Sequence, residues 1–156
     1  MTSWPTIPEE IKVWLSDWEA EVQDMRFDEA SRRFHPQTCA FGTVMHAGQD
    51  LQSLICDQWQ VVWPRTRNFR FHMDSARAWG DAEHHVVAVQ WSGEGIEAWS
   101  GQAFLRTGRA TIVLMRQQDR WIGVHTHLSI SPTPERFLSA QAPRSTPEPD
   151  SAKGLC

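Results

Sequence analysis

Tyrosine is absent from this 156-residue chain, so no phenol can serve as an acid or as an oxyanion donor at any site the fold builds. Cysteine is scarce: Cys39, Cys56 and Cys156 are odd in number and form no CxxC pair, which excludes a disulfide framework and a zinc knuckle. No apolar run approaches the ~20 residues that span a bilayer, and the first residues lack a basic start followed by an apolar stretch. The closing Lys-Gly-Leu-Cys places its cysteine last rather than fourth from the end, so it is no prenylation signal. These absences predict a cytoplasmic protein with no membrane partner. Positive charge is also short: 15 Lys and Arg against 19 Asp and Glu give −4. Nucleic acid is therefore not an expected partner, and the one local basic run, Arg65, Arg67 and Arg70, reads as a solvated strand edge. GxSxG, GK[ST] and HExxH are missing, and Gly93-Glu-Gly95 lacks the third glycine of a dinucleotide loop. No cofactor is expected.

Tryptophan, by contrast, is abundant, with nine residues in a 17.9 kDa chain. The length fits one domain with a self-sufficient core, and the tryptophans predict large aromatic walls within it. Thr6 and Glu9 have capping-box spacing with Pro8 in the first turn, predicting a helix from about Thr6. Ile11, Trp14, Leu15, Trp18, Val22 and Met25 then recur at steps of three and four on one face. Asp28 is placed to cap a short second helix that His35-Pro36 breaks, and Thr38 to Thr43 reads as a short strand. A third helix is predicted from Gly48 to Trp63, with Leu51, Leu54, Ile55 and Trp59 inward and Pro64 at its end.

Beyond Pro64 the period changes to two. Phe69, Phe71 and Met73 alternate with Arg70, His72 and Asp74, which marks a half-buried strand. Gly80-Asp81 turns into a strand from His84 to Trp91, and Ser92 to Gly101 reads as a loop. A long hairpin follows from Gly108 to Pro132, turning at Gln118-Asp119. Five of the nine prolines lie at or beyond Pro132, so a single domain over 1–131 with a largely disordered Pro-rich tail over 132–156 is expected, with a brief helical turn near Glu135 to Leu138. Helices first and antiparallel strands afterwards define an α+β class, with the helices on one face of the sheet.

The hairpin ends in His125, His127 and Ser129 at alternate positions, which share one face of a strand. An unbroken register from Gln118-Asp119 puts Ile112 opposite His125 and Ala110 opposite His127. Imidazoles bordered by hydrocarbon would stay neutral and could act as a general base. The alternatives are structural histidines at a subunit contact, or an ion held by His125 and His127 with a third ligand from His72, His46 or Asp74; no motif supports the ion, and no metal is expected. Phe41, Thr43, His46, Trp59, Trp63 and Trp91 belong to elements placed to border a pocket. Arg109 could meet an anionic ligand or pair with a helix carboxylate.

Phe34-His-Pro-Gln-Thr-Cys-Ala-Phe-Gly-Thr43, Gln58-Trp-Gln-Val-Val-Trp63, Gly108-Arg-Ala-Thr-Ile-Val-Leu and Arg120-Trp-Ile-Gly-Val-His-Thr-His-Leu-Ser129, in this order of elements, resemble the SnoaL-like and ketosteroid-isomerase-like branch of the nuclear transport factor 2-like superfamily. The resemblance covers about residues 8 to 132. It implies a cone-shaped fold, with the N-terminal helices packed in the concave face of a strongly curved antiparallel sheet around a cavity, and a homodimer through the outer face. It also implies an apolar or aromatic small molecule as partner. Such members include cofactor-independent isomerases, dehydratases and cyclases acting on apolar carbonyl compounds, and also non-catalytic association domains whose cavity is unused. The isomerase pairs an Asp base with a Tyr and a protonated Asp. With no tyrosine here, His125 or His127 would have to act as base or acid and Ser129 as hydrogen-bond partner.

Overall fold

The computed structural model describes residues 6–132. Apart from Pro132, the expected disordered tail and its helical turn lie outside the described residues.

Helix α1 runs Glu9–Gln23 and buries Ile11, Trp14, Leu15, Trp18 and Val22 as their spacing predicts. It begins three residues later than expected. Pro8 is the N-cap and makes no side-chain cap bond; its carbonyl accepts from Ile11 and Lys12 instead (3.0 and 3.1 Å). Met25 drops out of the stripe, because the helix has ended and Met25 takes φ 53° on the exposed side. Helix α2, Phe27–Ser31, likewise starts before Asp28, with Arg26 at its N-cap.

Strand β1 spans Phe34–Phe41 and runs straight through His35-Pro36. It tolerates the proline because it is a sheet edge, where a missing N–H costs no ladder bond. The capping box absent from α1 appears at Asp50: its carboxylate accepts from the Ser53 N–H (2.8 Å) while the Ser53 hydroxyl accepts from the Asp50 N–H (3.3 Å). The expected third helix is a composite of α3, Leu51–Leu54, a π turn, Ile55–Trp59, α4, Gln60–Val62, and a 3-10 turn, Trp63–Arg65. The π turn widens the helix, and the consecutive residues Gln58 and Trp59 are both buried there.

Strands β2 (Thr66–Gly80), β3 (His84–Ile96), β4 (Ala103–Gln117) and β5 (Arg120–Ile130) form an antiparallel meander. Strand order is β1-β5-β4-β3-β2. Segment 51–65 carries the chain between opposite edges of the sheet, so β1 joins β5 in parallel and the sheet is mixed rather than wholly antiparallel. The expected loop at 92–101 shrinks to 97–102, because β3 continues through its glycines. Gly95 is there for close approach: a Cβ would stand 2.4 Å from the Phe104 ring. The final turn falls at Gln118 and Asp119 as expected, both with positive φ (50° and 59°), the twist that suits a two-residue hairpin.

Helix α1 is tied to the β2 edge of this α+β fold by side chains that replace a missing strand. Glu19 accepts from the Phe71 N–H (2.7 Å) and Gln23 donates to the Phe69 carbonyl (2.5 Å). Buried Glu21 holds Arg33 (2.7 Å), and Asp17 adds a second carboxylate at 3.2 Å. Desolvation lowers the Arg33 pKa, but the hydrogen bond and charge of Glu21, with Asp17, outweigh it and raise the value above the ordinary one. Between helices and sheet the aromatic rings form one continuous series: Phe27 stacks on Trp63 (5.0 Å), Trp63 on Trp59 (4.7 Å), and Trp59 meets Phe34 edge-on. Phe34 also touches Trp14 and Trp18.

The β4–β5 register shifts once. Leu114 pairs with Gly123, but Val113 pairs with His125, so Val124 is extra and forms a bulge. Phe34 sets the place: a Cβ on Gly123 would lie 2.5 Å from its ring. Gly123→Ala is expected to lower stability by about 1–3 kcal/mol, the usual cost of overpacking, measured by urea denaturation. The Asp50 carboxyl sits below its ordinary value because the Ser53 N–H, then the Ser53 hydroxyl, bond its charged form. A depressed folded-state value means the contribution is complete above the unfolded aspartate range and lost as pH falls through the folded one. The stability difference between wild type and Asp50→Asn should therefore be full at pH 7 and shrink in acid, as followed by thermal melts across pH.

Candidate binding cavity

A cavity of about 50 Å³ lies between α1 and segment 51–65 on one side and the sheet on the other. Its walls include Trp18 and Val22 of α1, Leu54, Trp59, Val62 and Trp63 of the helical segment, and Phe69 and Trp91 of the sheet. At this volume it has room for a few waters or the end of a small organic molecule, well below the ~300 Å³ at which drug-sized sites begin. The polar groups at its edge are Thr43, Gln58, Thr66, Arg106 and Thr126. Among the described residues, no Asp, Glu, His or Cys lines it.

Five of the six residues placed beside a pocket, Phe41, Thr43, Trp59, Trp63 and Trp91, do line this cavity; His46 does not. The hairpin set is placed differently. Val124 is one residue too many for the unbroken register, so His125 pairs with Val113 instead of Ile112 and His127 with Thr111 instead of Ala110. Every residue after the bulge therefore exchanges faces. Thr126, 2% exposed, and Leu128 face the cavity. His125, His127 and Ser129 stand on the outer face, where Phe41 meets both imidazoles edge-on at 5.3 Å. His125 Nδ1 lies 2.9 Å from the Cys39 carbonyl. The expectation that these three residues act on a molecule inside the cone is corrected by this parity.

Their outward row is apolar on either side. Trp79, Val86, Val113, His125 and Cys39 are register partners across all five strands. Trp79 and Val86 are about two-fifths exposed. Arg109 belongs to the same face, exposed and opposite Ser129, not to the cavity.

Sequence reasoning passed over Gln58 and Arg106. Gln58 comes from the π turn, and Gly42 leaves room for it: a Cβ there would sit 2.2 Å from its Oε1. That oxygen accepts from the N–H groups of Val44 and Met45, both at 3.1 Å. Its Nε2 then donates to Thr43 Oγ1 at 2.9 Å, and Arg106 Nη2 donates to the same oxygen at 2.8 Å. Arg106 spans the Trp91 ring at 5.6 Å. Burial holds its pKa below the ordinary arginine value. A signal for Arg106 did exist. Gly108, Ala110, Ile112 and Leu114 alternate as the buried face of β4, and two residues further back on that face is Arg106.

With this geometry established, likeness to other proteins is informative. No protein-family model matches the sequence, and no curated protein matches it either. Solved structures do match. A nuclear transport factor 2-like superfamily protein from Salmonella enterica aligns with TM-score 0.69 at 15% identity, over 80% of this chain and 91% of that one. A ketosteroid isomerase-like protein from Erwinia carotovora atroseptica gives 0.67 at 11%, over 79% and 95%. The association domain of CaMKII from C. elegans gives 0.61 at 13%, over 78% and 93%. The chain thus has the nuclear transport factor 2-like, ketosteroid isomerase-like fold, which is shared by proteins with quite different roles. Among the described residues, no helix is long and apolar enough to cross a membrane.

Replacing Gln58 by Leu strands two N–H groups, at Val44 and Met45. A loss of about 1–3 kcal/mol per unsatisfied group is expected, with faster amide hydrogen exchange confined first to those two positions.

Proposed function

We propose that this chain is a small-molecule-binding domain whose ligand occupies the tryptophan-walled cavity, and that it binds without performing acid–base chemistry there. The observation that carries this reading is the lining itself: aromatic and aliphatic walls, a few hydroxyls, one amide, one guanidinium and, among the described residues, no side chain that could act as a base near neutral pH. A cofactor-independent isomerase or dehydratase needs such a base within hydrogen-bond reach of the substrate, and the two histidines nearest in sequence face the other way. An apolar pocket with a few polar groups is the usual build of a ligand site.

Small aromatic and carbonyl compounds should raise the melting temperature and perturb tryptophan fluorescence. Val62→Trp, which fills the cavity from its wall, should abolish both responses while the protein still folds. Equal responses in wild type and Val62→Trp would place the binding elsewhere. His125→Ala with His127→Ala should leave ligand binding unchanged.

A second role rests on the outer face. The row from Trp79 through Val113 to Cys39 offers a self-complementary apolar strip, and association domains occur among the structural neighbours. We infer that two copies pair through this face, with His125 and His127 at the contact. Val113→Arg would then convert a dimer into a folded monomer in light scattering after gel filtration. A wild-type protein that is already monomeric at tens of micromolar would reject the pairing.

A further inference from the structure

We propose that the cavity is selective for a small organic monocarboxylate, held by the guanidinium of Arg106 and the hydroxyl of Thr43. This deepens the small-molecule reading above and rests on it.

Hydrogen-bond accounting at Thr43 leads to this ligand class. A backbone N–H can only donate, so Val44 and Met45 fix the Gln58 carbonyl oxygen toward the 42–45 loop. The Gln58 amide nitrogen is thereby turned to Thr43, whose oxygen must accept. Arg106 can also only donate, and it uses the second lone pair of the same oxygen. Both acceptor sites of the Thr43 hydroxyl are now taken. Its own hydrogen has no acceptor among the described residues and remains free to be donated.

Charge accounting gives the sign. Arg33, Arg70 and Arg116 each reach a carboxylate within 4.0 Å. Among the described residues Arg106 reaches none; burial alone shifts its pKa, with no anion acting on it. A guanidinium held part-buried against the Trp91 face without a counter-charge is costly to the fold and is the residue type suited to planar carboxylates. Trp18 and Trp91, both cavity-wall residues, likewise leave a buried indole N–H with no acceptor. With the guanidinium these make donors the larger share of the unspent groups, beside the hydroxyls of Thr66 and Thr126, which can also accept. One cation selects a monoanion, and the small volume with aromatic walls selects a short acyl or single-ring body.

Calorimetric titration with butyrate, benzoate, butyramide and benzamide at pH 7 tests this on the full chain. The acids should bind at least about tenfold more tightly than the amides of the same shape, the scale of one charge-assisted hydrogen bond. Arg106→Leu should erase that preference in a protein that still melts cooperatively. Thr43→Val should weaken acid binding several-fold, and Thr43→Ser should restore it. Acids and amides bound equally, or an acid preference surviving in Arg106→Leu, would overturn the anion site and leave the pocket reading standing. Binding of neither class would overturn both.

Discussion

The contact between Gly123 and Phe34 governs the arrangement of everything that follows it in the chain. Gly123 donates its N–H to the Arg33 carbonyl at 2.7 Å and yields the space of a side chain to the Phe34 ring. Thr38, fully buried, places its hydroxyl between the carbonyls of Gly123 (3.0 Å) and His35 (2.6 Å). Two segments distant in sequence are thereby locked at one point: the junction of α2 with β1 and the start of β5. Pinned there, β5 accommodates its extra residue immediately afterwards, at Val124. A bulge at this place reverses the two faces of the strand. It directs Thr126 and Leu128 inward and leaves His125 and His127 on the outside.

The same ring joins the lock to the cavity. Phe34 meets Trp14, Trp18 and Trp59, and through them the stack of Trp59, Trp63 and Phe27. Each such pair contributes about 0.5–1.5 kcal/mol beyond simple burial, so the aromatic series stabilises the fold and also fills most of the cone. What is left open is small. The cavity therefore inherits its walls from the core, and its polarity comes from the one place where glycine lets a loop approach a helix, at Gly42 and Gln58. A binding site and a stability element share the same tryptophans. Arg106 departs from this economy: it is held by a hydroxyl and an aromatic face, with no carboxylate among the described residues to balance it.

Much of the fold was legible in the sequence. The stripe of Ile11, Trp14, Leu15, Trp18 and Val22 named a helix and its buried face, because a helix repeats its faces through local geometry alone. Alternation named the long strands, and Gln118-Asp119 named the last turn. Where expectation and structure part, a distant partner decides. Asp28 and the Thr6–Glu9 pair were placed as caps by local spacing and make no cap bonds, whereas Asp50 and Ser53 do. Gly93 and Gly95 looked like a loop because glycine breaks strands; both lie within β3, where the Phe104 ring packs over Gly95. His35-Pro36 was expected to break the second helix, but that helix has already ended at Ser31 and the pair lies within β1, since a sheet edge makes no demand on the missing N–H.

At the site the division is sharper. Composition alone removed tyrosine and with it a direct copy of the isomerase oxyanion site; periodicity alone brought Trp18, Trp59, Trp63 and Trp91 to the interior. Residue pattern also identified the alternation of His125, His127 and Ser129, and rightly gave them one common face. Which face that is could not be read from β5, because side-chain parity along a strand is propagated from its register, and one inserted residue inverts it. That insertion is positioned by the ring of Phe34, 90 residues earlier in the chain. Local sequence determined the helices, the strands and their alternation, since those depend on neighbours a few residues away; only tertiary packing decided which side of the last strand meets the cavity and that an arginine, not a histidine, stands at its edge.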